Sequence, residues 1–221
     1  MRAFFLQYAP ILVWAVAALE LLLLFGLFLR FSKMKDPIAL LGFLIDIGLL
    51  YDTMIIALGH VLPEPILGQL SQYRFILHGL LIPLLLPIAA RTAELPGGAR
   101  IFIWILTIAL VAAGFWEGSV TKLSPVEFAG LQRYVASEGT PKLAEVLSRV
   151  LSFGTVIPLL IGGLVGIFRK RGVWIFLGGL FMFGFSALGP ATGNTDLIFL
   201  FSMFGEVLMV LSFLLGAKKN D

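Results

Sequence analysis

The sequence GLLYDTMIIALGH at residues 48–60 runs through VLPEPILGQL at 61–70 into SQYRFILHGLLIP at 71–83. Two apolar segments meet here at a Pro-Glu-Pro break, and Asp52, Arg74 and His78 interrupt what is otherwise hydrocarbon. The chain around them is of one kind. Of its 221 residues 59% are hydrophobic and 13% charged, with 20 Phe; a soluble domain carries about 25% charge. Too little polar surface remains to face water, so the chain is read as an integral membrane protein.

Working outward, runs of about 20 apolar residues mark spanning helices. Seven appear, at about 4–29, 38–62, 68–90, 99–116, 146–168, 173–188 and 197–215, in a single all-α domain covering 1–221. The first follows Arg2 with no small-residue cleavage pattern and reads as a retained span. Asp36-Pro37 opens the second with an N-cap and a proline at the first helical position. Pro83 and Pro87 should kink the third, and Pro158 the fifth, by deleting backbone donors. A turn through Asn194 separates the sixth from the seventh. Between spans four and five lies the one long polar loop, 117–145. In it Ser124-Pro125-Val126-Glu127 has the form of a capping box, and FAGLQRYVASEG (128–139) is predicted to lie at the interface as a short amphipathic helix.

Lys and Arg set orientation. Arg30, Lys33 and Lys35, then Arg91 and Arg100, then Arg169, Lys170 and Arg171, and finally Lys218 and Lys219 alternate consistently to one side. That pattern predicts an N-out, C-in chain with a cytoplasmic C-terminus, in a bacterial or organellar inner membrane. Net charge is only +3, and the basic residues sit at helix ends rather than along a face, which argues against nucleic acid.

Ionisable groups in mid-membrane usually face protein or a cavity and have partners. Asp52 lies ten residues before Leu62, roughly 15 Å below the outer end of its span, and His78 falls at a similar depth on the descending span. Arg74 and His78 are four apart and share a face, with Ser71 extending the stripe. Gly48, Asp52 and Gly59 form a narrow small-residue face on span two. Because consecutive spans with a short connection usually neighbour each other, Asp52, Arg74 and His78 are expected in one pocket, with Tyr51 and His60 at its edges. Glu20 and Glu206, on the first and last spans, form a second candidate group, a carboxyl pair sharing a proton if those helices meet. Gly162 and Gly166 permit tight packing, within the chain or across a homodimer.

Several chemistries are excluded. The absence of cysteine removes disulfides, thiolate metal sites and cysteine nucleophiles. A retinal Schiff base needs a lysine in the last span, and none precedes Lys218. His60 and His78 are the only histidines, too few for a three-histidine zinc site, and no metal site is expected. The two halves of the chain show no convincing repeat. Three functions fit the remaining groups: a binding or transport protein with a polar, proton-handling site in the outer half of the bilayer, taking a small solute or amphiphile; a membrane-embedded enzyme acting on a lipid or isoprenoid, with His78 and Asp52 as base and orienter; or a non-catalytic subunit of a membrane complex, whose faces bind partner helices, pigment or haem.

Overall fold

A computed structural model describes residues 2–193 and 197–216; Lys218, Lys219 and the Asn194 turn lie outside the described residues. In chain order the elements are α1 (Arg2–Met34), α2 (Pro37–Ala57), α3 (Glu64–Leu81), a 3-10 turn (Ile82–Leu84), α4 (Leu85–Thr92), α5 (Gly97–Val120), β1 (Leu123–Phe128), β2 (Leu131–Ala136), α6 (Lys142–Phe168), α7 (Trp174–Thr192) and α8 (Ile198–Gly216). Counting Glu64–Thr92 as one, six helices among the described residues are long and apolar enough to cross a membrane, and Trp174–Leu188 is a shorter apolar helix.

The burial pattern suits a hydrocarbon solvent. On α1 the buried positions Ala9, Val13, Val16, Ala17, Glu20 and Leu27 form one stripe, whereas Ile11, Leu22 and Phe25 on the other faces are 66%, 68% and 60% exposed. An aqueous helix would carry polar residues there. At 33 residues α1 is about 50 Å long, beyond the roughly 30 Å of hydrocarbon, so it tilts or projects. Several helix hydroxyls bond to the preceding turn, as Thr107 does by donating to the Ile103 carbonyl at 2.7 Å and Thr155 to the Leu151 carbonyl at 2.7 Å.

The elements fix two ends. At one, Arg91 approaches Asp36 at 3.9 Å, and Glu94 pairs with Arg169 at 3.7 Å and with Arg171, which gathers the α1–α2, α4–α5 and α6–α7 connections. This is the basic end. At the other, the α2–α3 turn meets the β strands, where Tyr134 donates its hydroxyl proton to the Glu64 carbonyl at 3.4 Å.

Asp36 caps α2 as expected, accepting from the Ile38 amide at 2.9 Å. α2 stops at Ala57, so Gly59 and His60 fall in the following turn rather than on its face. Pro83 turns the third span into a 3-10 segment between α3 and α4, because its missing N–H and its ring bulk disrupt the α ladder. Gly162 and Gly166 pack within the chain: a Cβ at Gly162 would stand 2.7 Å from the Ala89 carbonyl, and one at Gly166 2.6 Å from the Thr92 methyl.

The interfacial helix expected at 128–139, after the Ser124–Glu127 capping box, is not formed. Those residues build an antiparallel β1–β2 hairpin with Val126 opposite Arg133 and Phe128 opposite Leu131. The architecture is mostly helical, consistent with the expected all-α membrane bundle, with a two-stranded hairpin in place of the interfacial helix. Gly130 would sit mid-helix at a cost of about 1 kcal/mol, and a lone helix this short is marginal. Ala129 and Gly130 instead take φ of 50° and 76°, the paired positive values of a two-residue hairpin turn that matches strand twist.

Period-two alternation then puts Leu131 and Arg133 on one face of β2. Leu131 and Phe128 join a core with Phe199 and Leu200 of α8 and Val13 of α1, and the Phe128 and Phe199 rings meet edge-on at 5.5 Å. The other core, toward the basic end, joins Leu27, Ile45, Leu85, Leu159 and Phe213.

Candidate functional site

Between these two cores lies a cavity of about 460 Å³, walled by α2, α3, α5, α6 and α8 and roofed by β2. From Ile198 to Glu206 its wall on α8 descends roughly 12 Å. Close backbone approach positions one side of it. α3 and α5 cross at Gly79 and Gly114, where a Cβ on either would collide with the other's carbonyl. That crossing brings Glu117 of α5 to the same cavity as His78.

The three expected groups do converge. Arg74 donates from Nε to Oδ1 of Asp52 across the α2–α3 interface, and its Nη1 reaches the Tyr134 carbonyl at 3.5 Å. The Arg74 side chain is 9% exposed and that of Asp52 24%, so the pair is largely removed from solvent while one carboxylate edge stays open to the cavity. His78, one turn on, lies among protein yet is exposed, because its ring faces the cavity. It makes no hydrogen bond among the described residues, although the Asp52 and Arg74 charges act on it.

The other expected groups divide. Tyr51 donates its hydroxyl proton to the Leu70 carbonyl at 3.1 Å, tying α2 to α3 outside the cavity. His60 is exposed in the turn after α2, also outside the cavity. Glu206 lines the cavity and is near enough to feel the charges of Asp52 and Glu20. Glu20 itself is wholly buried on α1, with the Thr53 hydroxyl of α2 as its polar neighbour. α1 and α8 do pack together, yet no hydrogen bond joins the two carboxyls among the described residues. Asp46 is likewise fully buried, and its carboxyl oxygens have no hydrogen-bond partner among those residues.

Sequence reasoning missed Arg133. The hairpin brings it down over Phe199, its guanidinium carbon 4.0 Å from the ring centroid, and its Nε is buried without a partner. Burial first, and then the neighbouring Arg74 charge, push the Arg133 pKa down to about 10, against the pull of Asp52. It therefore remains a cation at neutral pH. Reading LQRYVA as a strand would have found it, since Arg133 then shares a face with Leu131. Ser148, Ser152 and Ser202 also line the cavity, and the Thr121 hydroxyl donates to the Glu117 backbone carbonyl at 2.8 Å, with the Glu117 carboxyl oxygen 3.4 Å away.

A neutralised ion pair, a free imidazole, an unpaired guanidinium and hydroxyls around a ligand-sized space suit binding and proton exchange. They mark a helical membrane bundle with a charged cavity on its hairpin side. No protein-family model matches the chain, and no curated protein matches it.

Proposed function

We propose that the chain is a polytopic membrane protein of seven spans that binds or transports a small polar solute or amphiphile. The basic end faces the cytoplasm, by the preference of Lys and Arg for that side, and the cavity opens toward the outer face. The observation that carries this reading is the 460 Å³ cavity into which Asp52, Arg74 and His78 project from two helices. Membrane proteins keep ionisable groups at such depth chiefly where a ligand or ion passes. In this reading Arg74 and Asp52 fix the polar wall, and His78, with no hydrogen bond to hold one tautomer, exchanges protons with the cavity.

The enzyme alternative draws less support. A base needs its orienting carboxylate on the imidazole, whereas Asp52 is engaged by Arg74.

The chain contains no cysteine, so single-cysteine labelling tests the cavity directly. In sealed vesicles Ser202→Cys should react with a membrane-impermeant thiol reagent added from the outer side, while Leu159→Cys, fully buried toward the basic end, should not. A folded Ser202→Cys protein that stays unlabelled from outside would remove the basis for this function.

A further inference from the structure

The charges in the cavity do not balance locally. Arg74 is neutralised by Asp52. Arg133 forms no ion pair and no hydrogen bond among the described residues, and the charges that reach it are those of Arg74 and Asp52. Glu117 and Glu206 line the same cavity, but neither forms an ion pair with Arg133 among the described residues. One guanidinium thus stands beneath the hairpin without a counter-ion of its own. Holding a cation over an aromatic ring offsets part of that cost, about 0.5–2 kcal/mol. A planar guanidinium with free donors is matched by the oxygens of a phosphate or carboxylate.

Apolar side chains make up much of the remaining cavity wall, with Ile56, Ile82, Leu151, Phe199 and Met203, and Phe199 lies directly against Arg133. An anion fully surrounded by water would find no reason to prefer such walls; a hydrocarbon tail would. Access is sideways as well. On α6 the exposed Ser148 and Ser152 line the cavity, and their neighbours Val150 and Phe153 stand 47% and 57% exposed on the apolar outer surface of the bundle. The cavity therefore borders the lipid-facing surface of the bundle along the outer part of α6.

We infer that the cavity binds an anionic amphiphile, its oxyanion head on Arg133 beneath the hairpin and its hydrocarbon along the Ile56, Phe199 and Met203 wall. This deepens the binding reading above and rests on it. Neighbouring Arg74 adds to the field on the head group, while its Nε and one Nη1 hydrogen remain with Asp52 and the Tyr134 carbonyl.

The test uses the full chain carrying Ser202→Cys in phosphatidylcholine vesicles, with labelling rate as the readout and hexyl phosphate, inorganic phosphate and hexanol as probes. Hexyl phosphate should slow labelling, and the other two at equal concentration should not. Arg133→Gln should weaken that protection about tenfold or more, the loss expected for a hydrogen bond to a charged group, with Arg133→Lys between. The substitution removes a cation lacking a counter-ion, so its thermal unfolding should match or exceed that of the parent. Equal protection by hexanol would show that no head group is read, and equal protection by inorganic phosphate would show that the ligand is a free anion; either overturns the proposal. Undiminished protection in a folded Arg133→Gln protein also overturns it. A cysteine that labels but that hexyl phosphate never protects refutes the ligand class and leaves the cavity function standing, whereas a cysteine that never labels refutes the cavity function itself.

Discussion

Asp52 and Arg74 are single interruptions in apolar helices, and each is tolerable because the other is there. Removing one partner of a desolvated pair leaves the other uncompensated, while removing both for apolar or neutral groups costs little. Asp52→Asn should lower stability by about 2 kcal/mol, and more than Arg74→Met, because Arg74 is the more buried partner. The combined variant should be more stable than the sum of the two losses, and thermal unfolding in detergent gives the coupling energy. A sum that is merely additive would mean that the pair contributes no mutual stabilisation. For Arg133 the linkage runs the other way. Its proton is held less tightly in the folded protein, near pH 10, than in the free side chain. The cost of the charge is therefore present in full at neutral pH, and it is relieved only as pH climbs past 10.

Among the elements, α3 and α5 depend on glycine in a way that the cavity inherits. At Gly114 an added methyl meets the Gly79 carbonyl and backbone, whereas at Gly97, at the start of the same helix, nothing lies within 4 Å. Gly114→Ala should destabilise by about 2 kcal/mol or more through overpacking and shift Glu117 from the cavity that it shares with His78. Gly97→Ala should be neutral or stabilise by about 0.5–1 kcal/mol through helix propensity. Thermal unfolding of the two variants side by side checks this, and equal behaviour would contradict the backbone contact. The hairpin shows how an element misread from sequence hides a site residue. The Ser124 to Glu127 pattern resembles a helix start, and nothing local to it says otherwise. The turn at Ala129 and Gly130, where alanine takes a backbone conformation that it disfavours, holds only because Phe128 and Leu131 find Phe199 across the bundle.

Across the whole molecule, the two ends are held differently. Salt bridges around Glu94 close the basic end, and the apolar core beneath the cavity seals the half of the bundle nearest it; at the hairpin end a small sheet roofs a space. Single cysteines at Lys170 and Glu138 should accordingly react from opposite sides of sealed vesicles, Lys170→Cys from the cytoplasmic side and Glu138→Cys from outside; labelling from one side alone would refute the alternating topology. The sequence by itself determined that this is a helical membrane bundle, because a spanning helix must carry its own hydrogen bonds and an apolar surface, and both are local properties of 20 or so residues. It also placed Asp52, Arg74 and His78 at one depth, since helix rise and a short turn leave adjacent antiparallel spans little freedom. Tertiary structure alone decided which groups share the cavity. Glu117 arrives through a glycine crossing, Glu206 through the packing of the last helix, and Arg133 through a hairpin whose strands are stable only against α8. Each depends on contacts between residues far apart in the chain, and hydrophobic pattern carries no record of which apolar faces will meet.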